Sequence, residues 1–336
     1  MKVLVCVAPG KFESKEIDEP AHIDDRSILE IKRVGICGTD LHAFEGTQPY
    51  FTYPRILGHE LAAEIVETGR TGFSKGELVT IMPYFNCGHC IACKNGKPNC
   101  CASLQVFGVH IDGGMTEYIS VPNYSLLHGN GLSQDALSLV EPFAIGAHAI
   151  RRADIRPGEF VLIAGAGPIG LGVAAFAKIA GGHVIMMDTN QYRVDFASKY
   201  PGVPYTINPT KENPTDRLKE ITNGDMPTIV IDATGNQQAI NNLFQYMAHG
   251  AKYILVGLQK KPITVDHPEF HKREGTLMSS RNATLQDFEQ VISCMEKNLI
   301  APSDYISHRI PFSQVAEKFG GLFDPGENVI KASIQM

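Results

Sequence analysis

EFVLIAGAGPIG, residues 159–170, decides the fold. An apolar, β-branched run gives way to Gly165, Gly167 and Gly170 in the spacing G-x-G-x-x-G, and an apolar helical pattern follows from Ile169. Alone this spacing is a weak signal. It gains weight here because it leaves a strand, opens a helix, and is followed at the end of the next strand-like run, HVIMMD, by Asp188, 18 residues past Gly170. The glycines permit a tight turn and the close approach of a pyrophosphate to a helix N-terminus, where free N–H groups and the helix dipole favour negative charge. Asp188 is placed to hydrogen-bond ribose hydroxyls, and its charge repels a 2′-phosphate, which predicts NAD over NADP. Arg193 nearby is the counter-indication, since an arginine can accommodate that phosphate. The bland alternative is a glycine-rich packing turn that binds nothing.

Around this stretch the strand-like runs HVIMMD, PYTIN, PTIVID, KYILVG and GTLMSS alternate with helical segments such as RVDFASKY, TDRLKEIT and QQAINNLFQYMA. Such succession predicts a parallel sheet of about six strands with helices on both faces, a doubly wound dinucleotide-binding domain. The N-terminal part differs. Its strand-like runs SILEIKRVGI, LAAEIVETG and ELVTIMP are separated by Gly-rich and Cys-rich loops, so it reads as mostly β. The last residues open with the helix TLQDFEQVISCMEKNLI and end on the strand-like NVIKASIQM.

Bulk properties limit the function. A chain of 336 residues suits two domains, and 43% hydrophobic with 20% charged residues is ordinary for a globular protein. A net charge of -6 gives nucleic acid no electrostatic support. MKVLVCVAPGKFESKEI has too short an apolar stretch for a signal peptide and reads as a first strand, so a cytosolic protein is expected. The uncharged stretch Phe160 to Ala177 approaches spanning length, but its glycines and proline favour strand, turn and helix over a membrane segment. Eight cysteines in that setting read as reduced thiols or metal ligands.

Two groups of residues point to metal. Cys87, Cys90, Cys93 and Cys101 have the spacing C-x2-C-x2-C-x7-C, and four thiolates enclose zinc tetrahedrally with no open position, which makes a structural site. An iron–sulfur cluster is the rival, and the adjacent Cys100 leaves the fourth ligand open. Cys6 and Cys294 sit in apolar patterns and read as core. The second group starts at GHE, residues 58–60: His59 and Glu60 by themselves fit an ordinary turn. Upstream, GICGTDLH supplies Cys37, and downstream LVEPFAIGAHA supplies Glu141, an acid in an apolar segment that is a poor place for an unpaired carboxylate. Cysteine, histidine and carboxylates make a mixed zinc set whose incomplete shell leaves room for a substrate oxygen.

GICGTDLH, GHE, the four-cysteine lobe, GVHIDGGMTEYISVP, EPFAIGAHA, GAGPIG and DATG stand in the order found in the zinc-dependent medium-chain alcohol dehydrogenases, which this chain resembles over nearly its whole length. The resemblance implies an α/β protein with a mostly β, GroES-like catalytic domain (residues 1–145 and 282–336) and a Rossmann NAD-binding domain (146–281). It favours zinc over iron–sulfur in the lobe and Cys101 over Cys100 as fourth ligand. Glu141 resembles the sorbitol and threonine dehydrogenase branch. By the same resemblance Cys37 and His59 are ligands of a catalytic zinc, and Glu60 and Glu141 share its remaining protein position, with Glu60 also counted among the catalytic groups. Thr39 stands beside the substrate oxygen, His42 passes the proton outward, and Asp40 is structural. The implied cofactor contacts are Gly165, Gly167, Pro168, Ile169, Gly170, Asp188, Arg193, Val256, Leu258 and Arg281.

The implied reaction is hydride transfer from a secondary alcohol of a polyol or sugar acid to NAD, in a homo-oligomer of two or four chains. A threonine dehydrogenase is one rival; a dinucleotide-binding protein without catalysis, which would lack the catalytic metal, is another. An acidic substrate calls for a cation or several donors. Arg281 and His110 are candidates, and Phe44, Tyr50, Phe51 and Tyr53 are either pocket wall or loop packing, while His110 and His148 also match family positions.

Overall fold

Residues 159–170 fold as strand, turn and helix: the strand Phe160–Ala164 leads into Gly165, at φ 96°, and Gly167 is the N-cap of the helix Pro168–Ile179. A Cβ on Gly165 would come 2.9 Å from the Ala233 carbonyl carbon, so the turn needs glycine for room as well as for its left-handed backbone. This computed structural model describes residues 1–48 and 51–336, and the chain divides into one unit of Met1–Pro142 with Thr284–Met336 and another of Phe143–Ala283.

The Phe143–Ala283 unit is built on a six-stranded sheet in the order Tyr205–Ile207, His183–Met187, Phe160–Ala164, Ile229–Asp232, Lys252–Leu255, Thr276–Ser279, with every pairing parallel. Strands covered on both faces must be apolar at every position, and Val161, Leu162, Ile163, Val184, Ile185 and Met186 are all fully buried. The chain steps outward in one direction from Phe160–Ala164, then returns to its other side at Ile229–Asp232. That reversal is the switch point at whose carboxyl edge open α/β sheets bind ligands.

The other unit holds a seven-stranded sheet. Its main path is Leu126–His128, Leu78–Ile81, Glu60–Glu67, Arg26–Ile36, Lys331–Gln335, Ile306–Pro311, and Tyr118–Pro122 pairs separately with Arg26–Ile36. Ser27, Leu29 and Ile31 alternate inward along Arg26–Ile36, the period expected of a half-buried strand. Leu29 and Ile31 with their neighbours Val34, Leu61, Ile65, Ile81, Met115 and Ile334 form the core, which also takes Cys6. Cys294 is likewise buried, on the helix Leu285–Glu296. The late strand Lys331–Gln335 runs antiparallel to Arg26–Ile36 and parallel to Ile306–Pro311, so it lies inside the sheet. Among the described residues no helix is long and apolar enough to cross a membrane.

Candidate active site

Cys37 ends the Arg26–Ile36 strand and caps the helix Gly38–Glu45. Asp40, 1% exposed, fixes this corner: Oδ2 accepts the Cys37 N–H at 2.9 Å and Oδ1 accepts the Gly58 N–H at 3.2 Å. One buried carboxylate therefore ties GICGTDLH to GHE. Gly58 itself has φ 94°, and a Cβ there would come 2.7 Å from Val34 Cγ1, which explains the glycine ahead of the histidine. The turn it makes aims His59 and Glu60 toward Cys37. Ligand atoms of Cys37, His59 and Glu60 all lie within 4.8 Å of one another, and His59 and Glu60 are buried.

The arrangement fits a metal ion. His59 Nδ1 is buried without a hydrogen-bond partner, a costly condition that a cation relieves. Burial disfavours a charged imidazole, yet Asp40 and Cys37 outweigh it and hold His59 well above the ordinary histidine range. Acid groups thus crowd a buried site.

Glu141 lies on the first turn of the helix Val140–Ala153, 4% exposed, and accepts a hydrogen bond from the Tyr84 hydroxyl. Burial, with the Glu60 charge, raises it to about 7 against the opposing pull of His59 and Tyr84. It is not in the group formed by Cys37, His59 and Glu60. Tyr84 and Lys331 complete this neighbourhood and are absent from the sequence reading. Lys331 is 2% exposed; its Nζ donates to Glu60 Oε1 at 2.6 Å and touches Oε2 as well. Removing one partner of a buried ion pair costs about 3–5 kcal/mol. The only signal in sequence was a lysine inside an apolar strand pattern.

Thr39 is half-buried in the first turn of the Gly38–Glu45 helix. His42 sits a turn later with its side chain 63% exposed, and its Nδ1 is 3.2 Å from Thr47 Oγ1 and 3.3 Å from Glu45 Oε2. The remaining residues of the loop have mixed fates. Phe44 stacks on Phe12 at 5.1 Å and tilts against Phe319 at 5.2 Å, which is core packing. The Tyr53 hydroxyl donates to the Ala43 carbonyl, and Phe51 meets Tyr53 edge-on at 4.8 Å. Tyr50 lies outside the described residues. His110 Nδ1 accepts the Val106 N–H at 3.0 Å, and His148 Nδ1 accepts from Arg151 Nη2 at 3.0 Å, so each has a local structural partner.

Cys87, Cys90, Cys93 and Cys101 form a second group, also within 4.8 Å, with Sγ–Sγ distances of 3.4 Å for Cys87–Cys101 and 3.5 Å for Cys90–Cys93. Sulfurs this close suit one ion at the zinc–sulfur distance of about 2.3 Å. Cys100 is exposed and outside the group. Within residues 87–101 only Asn99 and Cys101 are buried, and Ile91 is 75% exposed, so this lobe has almost no apolar core to hold it.

In the Phe143–Ala283 unit the residues expected to meet a dinucleotide gather at the carboxyl edge of the sheet. Gly165 to Gly170 follow one strand, Asp188 ends the next, Val256 and Leu258 follow Lys252–Leu255, and Arg281 follows Thr276–Ser279. Asp188 Oδ2 accepts the Ala166 N–H at 2.7 Å and Oδ1 the Asn190 N–H at 2.8 Å. A carboxylate has lone pairs for further donors, so these bonds orient it without exhausting it. The Arg193 guanidinium reaches the Gly167 turn, with Nη1 3.9 Å from where a Cβ would stand. A Cβ on Gly170 would overlap the Gly165 carbonyl oxygen, which leaves glycine as the residue that keeps this cradle shallow.

Residues 24–130 match the alcohol dehydrogenase GroES-like domain, and residues 168–297 match the zinc-binding dehydrogenase family. An L-galactonate-5-dehydrogenase of Escherichia coli is 44% identical over 321 residues, covering 95% of this chain and 94% of the relative. An L-threonine 3-dehydrogenase of Aliivibrio fischeri is 34% identical over 258 residues, 75% of each. Among solved structures, an alcohol dehydrogenase from Escherichia coli complexed with NADH has a TM-score of 0.91 at 29% identity and covers 100% of this chain and 99% of its own. With its metal-fitting cysteine, histidine and glutamate beside a GroES-like fold and its glycine cradle on a parallel sheet, the chain belongs to the zinc-binding alcohol dehydrogenases.

Proposed function

We propose that this enzyme oxidises a secondary alcohol of a sugar acid, L-galactonate or a close stereoisomer, to the keto acid with NAD as hydride acceptor. The observation that carries the chemistry is the grouping of half-buried Cys37 with buried His59 and Glu60. Similarity to the L-galactonate-5-dehydrogenase over 95% of the chain supports the substrate. Held by Cys37, His59 and Glu60, with Glu141 as the alternative carboxylate, zinc supplies Lewis acidity that brings an alcohol's pKa toward neutrality. NAD supplies the acceptor for the hydride.

The protein's own part is positioning and proton movement. Asp40 fixes the Cys37 corner against the His59 turn, so the two ligands keep their spacing. Thr39, on the first turn beside Cys37, takes the substrate's hydroxyl proton into a hydrogen bond. The exposed His42 hands it to solvent. Cys87, Cys90, Cys93 and Cys101 hold a structural zinc that replaces the missing core of their lobe.

Asp188 binds the adenosine ribose hydroxyls, and Arg193 and the 165–170 turn cradle the phosphates. Val256, Leu258 and Arg281 line the cofactor's path along the same sheet edge, with Pro168 and Ile169 opening the helix behind the phosphates. A hydrogen bond to a charged group is worth about 1.5–3 kcal/mol, so Asp188→Ala will lower kcat/KM for NAD by roughly tenfold to a hundredfold and raise use of NADP. Steady-state rates with both cofactors decide this. A parent enzyme that already prefers NADP overturns the assignment of Asp188.

The enzyme works in the cytosol, where eight free cysteines stay reduced, as a homo-oligomer of two or four chains without nucleic-acid or membrane partners. The substrate reading is tested by following NADH formation with L-galactonate, other hexonates, sorbitol and L-threonine. Turnover centred on L-galactonate is the expected result. Turnover confined to L-threonine would instead fit the 34% identical threonine dehydrogenase and remove the sugar acid.

A further inference from the structure

The segment that carries both Asp188 and Arg193 is held from the neighbouring strand. His183–Met187 and Tyr205–Ile207 end level, with Met187 opposite Ile207, so Asp188 and Asn208 leave the sheet side by side. Asn208 is 4% exposed and its amide is used in full. Nδ2 donates to the Thr189 carbonyl at 3.3 Å and to Gln191 Oε1 at 3.0 Å, while Oδ1 accepts the Thr210 N–H at 3.0 Å and the Thr210 hydroxyl at 2.7 Å. A flipped amide would set its oxygen against two acceptors, so these partners fix its orientation. Thr189, Asn190 and Gln191 join the acid to the arginine. Asp188 Oδ1 accepts the Asn190 N–H, and Asn190 Oδ1 accepts the Arg193 N–H at 3.3 Å as N-cap of the helix Gln191–Lys199.

We propose that Asn208 is a specificity-determining positioning residue, which holds the 189–191 turn so that Asp188 and Arg193 keep the arrangement that takes NAD and refuses NADP. This rests on the reading of Asp188 as the group that faces the adenosine ribose. A carboxylate repels a 2′-phosphate only while it stays in place. With the turn free, the phosphate pushes Asp188 aside and brings its charge to the Arg193 guanidinium, a good partner for phosphate. One of the two N–H groups that Asp188 accepts belongs to Asn190 and moves with the turn. Asn208 supplies a tie from outside it. Its own N–H donates to Glu212 Oε1 at 3.2 Å and its carbonyl accepts the Lys211 N–H at 2.9 Å, so the anchor is itself held.

The test is direct binding of NADH and NADPH, followed by nicotinamide fluorescence, which does not depend on the alcohol substrate. In Asn208→Ala the preference for NADH, expressed as the ratio of the two Kd values, falls by about tenfold, the size expected when a buried carbonyl loses its donor. Thr210→Val removes a hydroxyl from the other side of the amide and keeps the parent's ratio. In an Asp188→Ala background, Asn208→Ala no longer changes the ratio, because the group it positions is gone. An unchanged ratio in Asn208→Ala, even with both affinities weakened together, shows a merely structural residue and overturns the proposal. So does the same fall in the Asp188→Ala background. Should Asn208→Ala fail to fold, Asn208→Ser decides, because its hydroxyl still accepts the Thr210 N–H but ends one bond short of Thr189. A parent that binds NADPH more tightly than NADH, or an Asp188→Ala variant that keeps the parent's ratio, overturns the reading of Asp188 itself.

Discussion

Cys37→Ala will lower turnover by at least about a thousandfold, since loss of Lewis acidity removes several kcal/mol of transition-state stabilisation at 1.36 kcal/mol per factor of ten. The fold will survive. Cys37 lies outside the hydrophobic core, and Asp40 fixes its corner by accepting the backbone N–H groups of Cys37 and Gly58, which the substitution leaves in place. Zinc content should drop by one ion per chain, leaving the ion in the four-cysteine lobe, while circular dichroism stays as in the parent. Near-normal turnover in a chain that has lost that ion would remove the metal from the mechanism.

The second large effect is one of stability and is local. Cys93→Ser takes one thiolate from a lobe in which only Asn99 and Cys101 are buried among residues 87–101. Structural zinc contributes on the order of 10 kcal/mol to folding in small zinc modules, so without it the lobe has nothing comparable to stay closed. Limited proteolysis will cut within 87–101 more than about a hundredfold faster than in the parent, while the sheet built on Leu29, Ile31 and Leu61 stays protected. Equal protection in parent and variant would mean that loop hydrogen bonds, such as Lys97 N–H to the Ala92 carbonyl at 2.9 Å, hold the lobe without metal.

The parallel sheet was legible because a strand covered on both faces cannot afford polar positions, so Val161, Leu162 and Ile163 announce it in one dimension. That Cys37 meets His59 and Glu60, and that Cys87, Cys90 and Cys93 cluster, was legible because few residue types suit a metal; the choice of Cys101 over Cys100 came from the family resemblance, and the structure brings Cys101 into the group. What could not be read was register. Lys331 in NVIKASIQM passes for an outward-facing residue until Lys331–Gln335 is placed between two other strands, with Ser333 opposite Gly35 and Gly35 opposite Glu60. Nothing local encodes a pairing between residues 271 positions apart. Tyr84 was hidden in the same way, since its hydroxyl matters only once the helix carrying Glu141 lies beside it. The aromatic loop was ambiguous because pockets and cores use the same side chains, and Phe44 went to the core.

The interior position of the Lys331–Gln335 strand also orders the events of synthesis. A chain emerging from the ribosome can close the lobe at Cys87–Cys101 early, from residues near one another, and Phe143–Ala283 is a continuous stretch able to fold as soon as it is out. The sheet that carries Cys37 and Glu60 has to wait with an open seam beside Arg26–Ile36 until Lys331–Gln335 arrives. Until then the Glu60 carboxylate has no ammonium beside it. Lys331, the partner of Glu60, thus follows both of these segments in synthesis, and the seam beside Arg26–Ile36 closes only after the lobe and the parallel sheet are able to form.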